Sequence, residues 1–191
     1  LLRPLTNQTI VRVKFRKRLR PEQPLRENDR MTQGAGETDL YQYWLMKHDG
    51  GRPPSRWQID PIVEIPRLAK HLLLIDVLPD GYRYRVVGSE LVRRHGVDLT
   101  GRRADLSEGN PNSMREYFAA LDTVVRERKP KFLVSRLPTG VAGKFVVLAT
   151  PLVGPDGRTE HILTGSFYDG YFDPATRPEG MAIQELAMAD L

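Results

Sequence analysis

Four histidines and no cysteines set the outer limits of the chemistry this chain can perform. Without thiols there are no thiolate nucleophiles, zinc–cysteine sites, disulfides or cysteine-linked chromophores. His48, His71, His95 and His161 are too widely separated for the short spacings of a metal site. His95 stands in Arg93-Arg94-His95-Gly96, the end of a short helix, where a histidine suits the dipole and faces water. Ser89 follows Gly88, but Gly88-Ser89-Glu90 lacks the second glycine of a nucleophile elbow. Asp76 and Glu90 are the one pair of carboxylates worth weighing for acid–base work. Asp76 is the more informative, because it is a lone charge inside the apolar run LLLIDVL. A carboxylate buried in such a run must be paired or neutralised. Arg83 and Arg85 stand across a turn from it and can supply the charge. An internal pair that sets strand register is favoured over a ligand-facing role for Asp76 and Arg85. The pattern points to binding rather than catalysis, and the chain reads as a non-enzyme.

The elements that position these groups are punctuated by proline and glycine. Pro79-Asp80-Gly81 separates LLLIDVL from Tyr82, Tyr84 and Val86, which alternate with Arg83 and Arg85. Proline presets the first corner, glycine tolerates positive φ, and period-2 alternation marks a half-buried strand. This is an antiparallel hairpin opening a sheet. Before it, residues 38–48 form a helix with Leu40, Tyr43 and Trp44 in one stripe, ended by Gly50-Gly51. Asp60-Pro61 is a helix opening, and Pro66 limits the helical pieces at 61–65 and 67–71. After Gly88 comes a short helix over 89–95. Ser113 and Glu116 then have capping-box spacing ahead of Met114, Tyr117, Phe118, Leu121, Val124 and Val125, one face of a helix to about residue 127. Strands are expected at 131–137, 144–152 and 159–168, joined by the turns at 138–143 and Gly154-Pro155-Asp156-Gly157. A last helix is read at 181–189. Five antiparallel strands with helices inserted between the second and third make an α+β fold.

That order resembles a PAS domain, and in particular a bacterial subgroup best known from alphaproteobacteria that carries its own N-terminal helices. The likeness rests on the order of Tyr43-Trp44, Pro54, Asp60-Pro61, Leu73-Leu74-Ile75-Asp76-Val77, Tyr84-Arg85, Gly88, Asp98-Leu99-Thr100-Gly101 and Pro151 with Asp156-Gly157. It spans residues 40–169. The resemblance implies a PAS-like five-stranded antiparallel sheet, helices on one face and an N-terminal helical extension, over residues 38–170. Residues 1–37 are then a basic arm and 171–191 a C-terminal tail. It implies sensing and signalling, by a small molecule held between sheet and helices or by dimerisation through the N-terminal helix and outer sheet face. The residues after Asp169 are too few for an effector, so the expectation is a stand-alone regulatory module in the bacterial cytoplasm, acting on an effector protein. Leu91, Phe118, Leu121, Phe132, Val134, Phe145, Val147 and Ile162 are the pocket candidates on the inner face, where an ordinary packed core would use the same residues. Leu40, Tyr43 and Trp44, taken as outward-facing, are the dimer-interface candidates. A haem-binding PAS domain uses an axial histidine, for which His95 has the best position but the wrong surroundings. The flavin adduct of light-sensing PAS domains needs a cysteine. Haem and noncovalent flavin are therefore disfavoured, and a small organic ligand is the remaining cofactor class.

The overall composition, 40% hydrophobic and 28% charged, is ordinary for a domain with a real core. No apolar run approaches the ~20 residues that cross a bilayer. The net charge of +5 is unevenly placed. Residues 1–30 carry nine Lys/Arg against three Asp/Glu, and the remainder is nearly neutral. The arm's RKRLR followed by PEQP is expected to be a disordered extension. The alternative function, from a different class, is association with nucleic acid through this arm. It predicts binding to duplex DNA that weakens steeply between 50 and 200 mM salt and disappears when residues 1–30 are deleted. Binding that survives the deletion excludes the arm as its source.

Overall fold

The computed structural model describes residues 36–104, 112–136, 144–168 and 183–186. Residues 1–35 of the basic arm and the expected turn at 138–143 lie outside them, while Gly36 and Glu37, expected in the arm, belong to the first helix. Helix α1 (Gly36–Met46) is followed by a 3-10 turn (Arg56–Gln58), a single α-turn α2 (Pro61–Glu64) and a second 3-10 segment (Pro66–His71). Asp60 caps α2, its carboxylate accepting from Val63 N at 3.4 Å, and Pro61 fills the first position. The hairpin follows as β1 (Leu72–Leu78) and β2 (Gly81–Val87), then α3 (Ser89–His95), which Gly96 ends in the left-handed region. Helix α4 (Asn112–Glu127) leads into β3 (Lys131–Arg136), β4 (Lys144–Val153) and β5 (Thr159–Tyr168).

The strands form one sheet in the order β2-β1-β5-β4-β3, antiparallel throughout, as expected. A sixth strand, β6 (Ile183–Leu186), extends it by pairing parallel with β3. The expected helix at 181–189 is therefore corrected to a strand over part of its length. The open edge of β3 supplies backbone partners that local helix propensity cannot outweigh. At the opposite edge, residues 101–104 cover β2: Tyr84 N donates to Arg102 O at 2.9 Å and Ala104 N to Tyr82 O at 2.9 Å.

Both faces of the sheet are covered. On the inner face, α4 lays Phe118, Leu121 and Val124 on Ile75, Tyr82, Tyr84, Ala149 and Ile162, with Met114, Tyr117 and Val125 flanking. That is the helix stripe read from the 3.6-residue period. On the outer face, α1 buries Leu40, Tyr43 and Trp44 against Leu72, Leu74, Val146, Leu148, Leu163 and Phe167. Trp44 Nε1 donates to Pro151 O at 2.9 Å, fixing the helix to β4. A Cβ on Gly165 would stand 2.4 Å from Leu40 Cδ2, so the bare backbone there is what lets α1 sit so close.

Gly88 shows the tightest backbone approach. A Cβ on it would lie 2.4 Å from the Lys70 carbonyl oxygen, while Gly88 N donates to Leu72 O at 2.8 Å. The chain thus leaves β2 by passing directly over the 3-10 segment that enters β1. Gly88→Ala forces main chain apart rather than a side chain aside, and is expected to cost about 1–3 kcal/mol. A urea midpoint within error of wild type would show that the approach is not required.

Candidate functional site

Two places on the sheet gather the residues singled out from the sequence. On the inner face, Phe118, Leu121 and Ile162 pack in one cluster, while Val147 packs with Ala120 and Leu133 beside it; each of the four candidates is at most 5% exposed. Leu91 is buried from α3. Phe132 and Val134 do not join them; they belong to the outer-face core under α1. The correction follows from register. Phe132 pairs with Leu148 and Val134 with Val146, all outward, whereas Leu133 pairs with Val147, inward. A strand in which three consecutive residues are apolar does not reveal its inner side, and one step reverses every assignment. Of Phe145 only the backbone is described, in register with Ser135 and Tyr168.

The inner face is not wholly apolar. Strand β5 alternates Ile162, Thr164 and Ser166 toward α4, with Leu163 and Phe167 facing α1. Thr164 is fully buried, opposite Leu73 and Ala149, and its hydroxyl has no hydrogen-bond partner among the described residues. Tyr84 is buried on the same face, and burial pushes its phenol up to about 12, keeping it protonated. The Tyr82 phenol is engaged by Asp122 Oδ1 at 2.5 Å and stacks on Phe118, with ring centroids 5.6 Å apart. Sequence reasoning missed Thr164, since a threonine in a strand is ordinary until its burial and lack of a partner are seen.

The second gathering is on the outer face, at the β2 end of the sheet. Asp76 is 4% exposed and accepts from three residues. Arg83 Nε reaches Oδ2 at 2.9 Å, Arg85 Nε reaches Oδ1 at 2.7 Å, and His161 Nδ1 lies 3.0 Å from Oδ1. An ionised carboxylate can only accept, so His161 presents its Nδ1–H. Both arginines expected from the sequence are used, and His161 is an addition that only the Asp76–His161 register of β1 and β5 supplies. The ladder also explains how Arg83 and Arg85 reach one carboxylate. Leu74 stands opposite Val86 and Ile75 opposite Tyr84, leaving Arg85 as the extra residue of a β-bulge. Burial pushes the Asp76 carboxyl up, but hydrogen bonds and charge from Arg85 and Arg83, with His161, outweigh it and hold the group below its ordinary value.

Leu40, Tyr43 and Trp44, expected to face outward as a dimer surface, are 0–3% exposed. The sheet of their own chain already covers them, because the stripe of an amphipathic helix seeks the nearest apolar face. Tyr43 instead joins α1 to α2: its hydroxyl donates to Glu64 Oε2 at 2.5 Å and accepts from Asp60 N at 2.9 Å. Lys47 completes the tie through Glu64, whose carboxyl the Lys47 and Tyr43 hydrogen bonds hold down at about 2.

A family model described as PAS domain matches residues 32–167. No curated protein matches the chain. Among solved structures, it is similar to a sensory box sensor histidine kinase from Vibrio cholerae, at 20% identity over 56% of this chain and 87% of that one, TM-score 0.40. The PAS domain of BvgS from Bordetella pertussis is 19% identical over 55% of this chain and 83% of its own, TM-score 0.36. A light-oxygen-voltage domain studied with a flavin analogue is 11% identical over 58% and 84%, TM-score 0.42.

The Asp76 cluster has a clear pH signature. A depressed carboxyl contributes stability that is present above its unfolded pKa of ~3.9 and is lost as pH falls through the folded value. Asp76→Asn is expected to cost about 1–3 kcal/mol at pH 7, and more than Arg83→Gln or Arg85→Gln, each of which leaves two partners in place. The gap between wild type and Asp76→Asn in urea midpoint should narrow from pH 7 to pH 3; an equal gap at both would contradict the assignment.

Proposed function

This chain belongs to the PAS domain family, whose members are sensory modules in signal transduction, and from that premise we propose that it senses a small organic molecule held between the sheet and α4. The resulting change passes to a partner protein. A ligand shifts such a module only by its differential affinity for two states, so a modest contact with the sheet and α4 is enough. The observation that carries the reading is the Thr164 hydroxyl, fully buried on the α4 side of the sheet without a partner among the described residues. An unpaired buried hydroxyl costs about 1–3 kcal/mol, which a purely apolar residue of similar size would avoid. A polar ligand atom at that point removes the cost and explains the threonine. The protonated Tyr84 phenol on the same face offers a second group of neutral character.

No described helix is long and apolar enough to cross a membrane. Native mass spectrometry on the chain purified from its own host reads retained ligand and oligomeric state together. The expected result is a small organic molecule on the wild-type protein and its absence from Thr164→Val. The variant itself should keep its fold and gain about 1 kcal/mol, since it removes an unpaired hydroxyl. A wild-type protein that carries nothing, or a variant that retains the same molecule, would sink the reading.

A further inference from the structure

We propose that the outer face carries a second ligand site, for a small aromatic carboxylate, separate from the one assigned to the α4 side. It is a groove of about 530 Å³ between the 49–58 segment, the end of β2 and the β4–β5 turn. That volume lies within the ~300–1,000 Å³ of small-molecule sites. Three of its lining residues are arginines, and each is held in place through one part of its guanidinium. Arg52 Nη2 donates to Gly154 O at 2.7 Å and Pro155 O at 3.2 Å. Arg56 Nη1 donates to Ile59 O at 2.7 Å. Arg85 uses Nε on Asp76, and its terminal nitrogens have no partner among the described residues. Guanidinium groups fixed in this way lose little further freedom when they take a carboxylate in paired hydrogen bonds.

The wall beside them is Trp57, 95% exposed, the most exposed large apolar side chain among the described residues. Its 3-10 turn is pinned by Ser55 N donating to Gln58 Oε1 at 2.7 Å, so the indole is presented by a fixed piece of backbone. An aromatic ring stacked there gives the indole the cover it lacks. Charge decides the class of anion. Asp49 and Glu160 also line the groove, against Arg52, Arg56 and Arg85, with His161 at its edge. One net positive charge suits a monoanionic carboxylate better than a phosphate dianion.

Titrating the full chain with benzoate, benzyl alcohol and inorganic phosphate, followed by tryptophan fluorescence and ligand-observed NMR, tests the site. Trp44 is buried and Trp57 exposed, so a fluorescence response belongs to Trp57 and vanishes in Trp57→Phe. Benzoate should bind saturably below about 1 mM, with phosphate and benzyl alcohol at least about tenfold weaker. Arg56→Gln removes a donor whose described bond is to one loop carbonyl, and should weaken benzoate about tenfold or more with the circular dichroism spectrum intact. Arg115→Gln, in the first turns of α4 and outside the groove lining, should change nothing. Non-saturable binding, equal affinity for phosphate, or indifference to Arg56→Gln each overturns the proposal. So does benzoate binding that Thr164→Val abolishes, which would place the ligand on the α4 side instead.

Discussion

The Asp76 carboxylate holds together a corner of the sheet that apolar packing alone would leave ambiguous. It sits on β1, takes Arg83 and Arg85 from β2 and His161 from β5, and so joins three strands through four oxygen contacts. The net energy of such an arrangement is modest, since removing a carboxylate from water opposes the attraction it gains. The two arginines stay about half exposed, at 45% and 51%, which limits their own desolvation. The contribution is geometric. With Asp76 opposite both Arg83 and His161, a shift of either neighbour by one residue would strip a buried carboxylate of part of its partners.

From that anchoring the two faces acquire their separate characters. Period-2 alternation along β2 keeps both arginines on the outer side while Tyr82 and Tyr84 stay inside with Phe118. The outer face then divides. Its centre is apolar and closed by α1 through Leu40, Trp44 and the bare backbone of Gly165. Its β2 end is charged and carries the groove beneath Arg52, Arg56 and Trp57. The inner face is closed by α4 over a floor that is apolar except at Thr164 and Ser166. One sheet therefore offers two chemically different places, one enclosed and nearly neutral, the other open and cationic.

Much of this was legible residue by residue. The hairpin around Pro79-Asp80, the α4 stripe, the Asp60-Pro61 opening and the stop at Gly96 are local signals, and each appears where local physics puts it. The pairing of Asp76 with arginines was legible because the hairpin brings sequence neighbours opposite one another. Phe132 and Val134 lie on the face opposite to the expected one, and the α1 stripe packs on the sheet instead of facing outward. In both cases the sequence pattern fits either face equally, and the sheet's long-range register makes the choice. The strand at Ile183–Leu186 was likewise invisible locally, because its partner β3 lies some fifty residues away in the chain.

The sequence by itself determined the element order, the amphipathic faces, the turn positions and the need of Asp76 for a counter-charge. It did so because these depend on φ preferences, on period and on the cost of burying charge, all of which act over a few residues. Tertiary structure decided which face each stripe meets, that His161 joins Asp76, that Thr164 is buried without a partner among the described residues, and that three arginines and Trp57 border one groove. Those are facts about residues far apart in the chain, brought side by side by strand order β2-β1-β5-β4-β3-β6. No local preference encodes a neighbour that arrives from eighty-five residues away, as His161 does for Asp76.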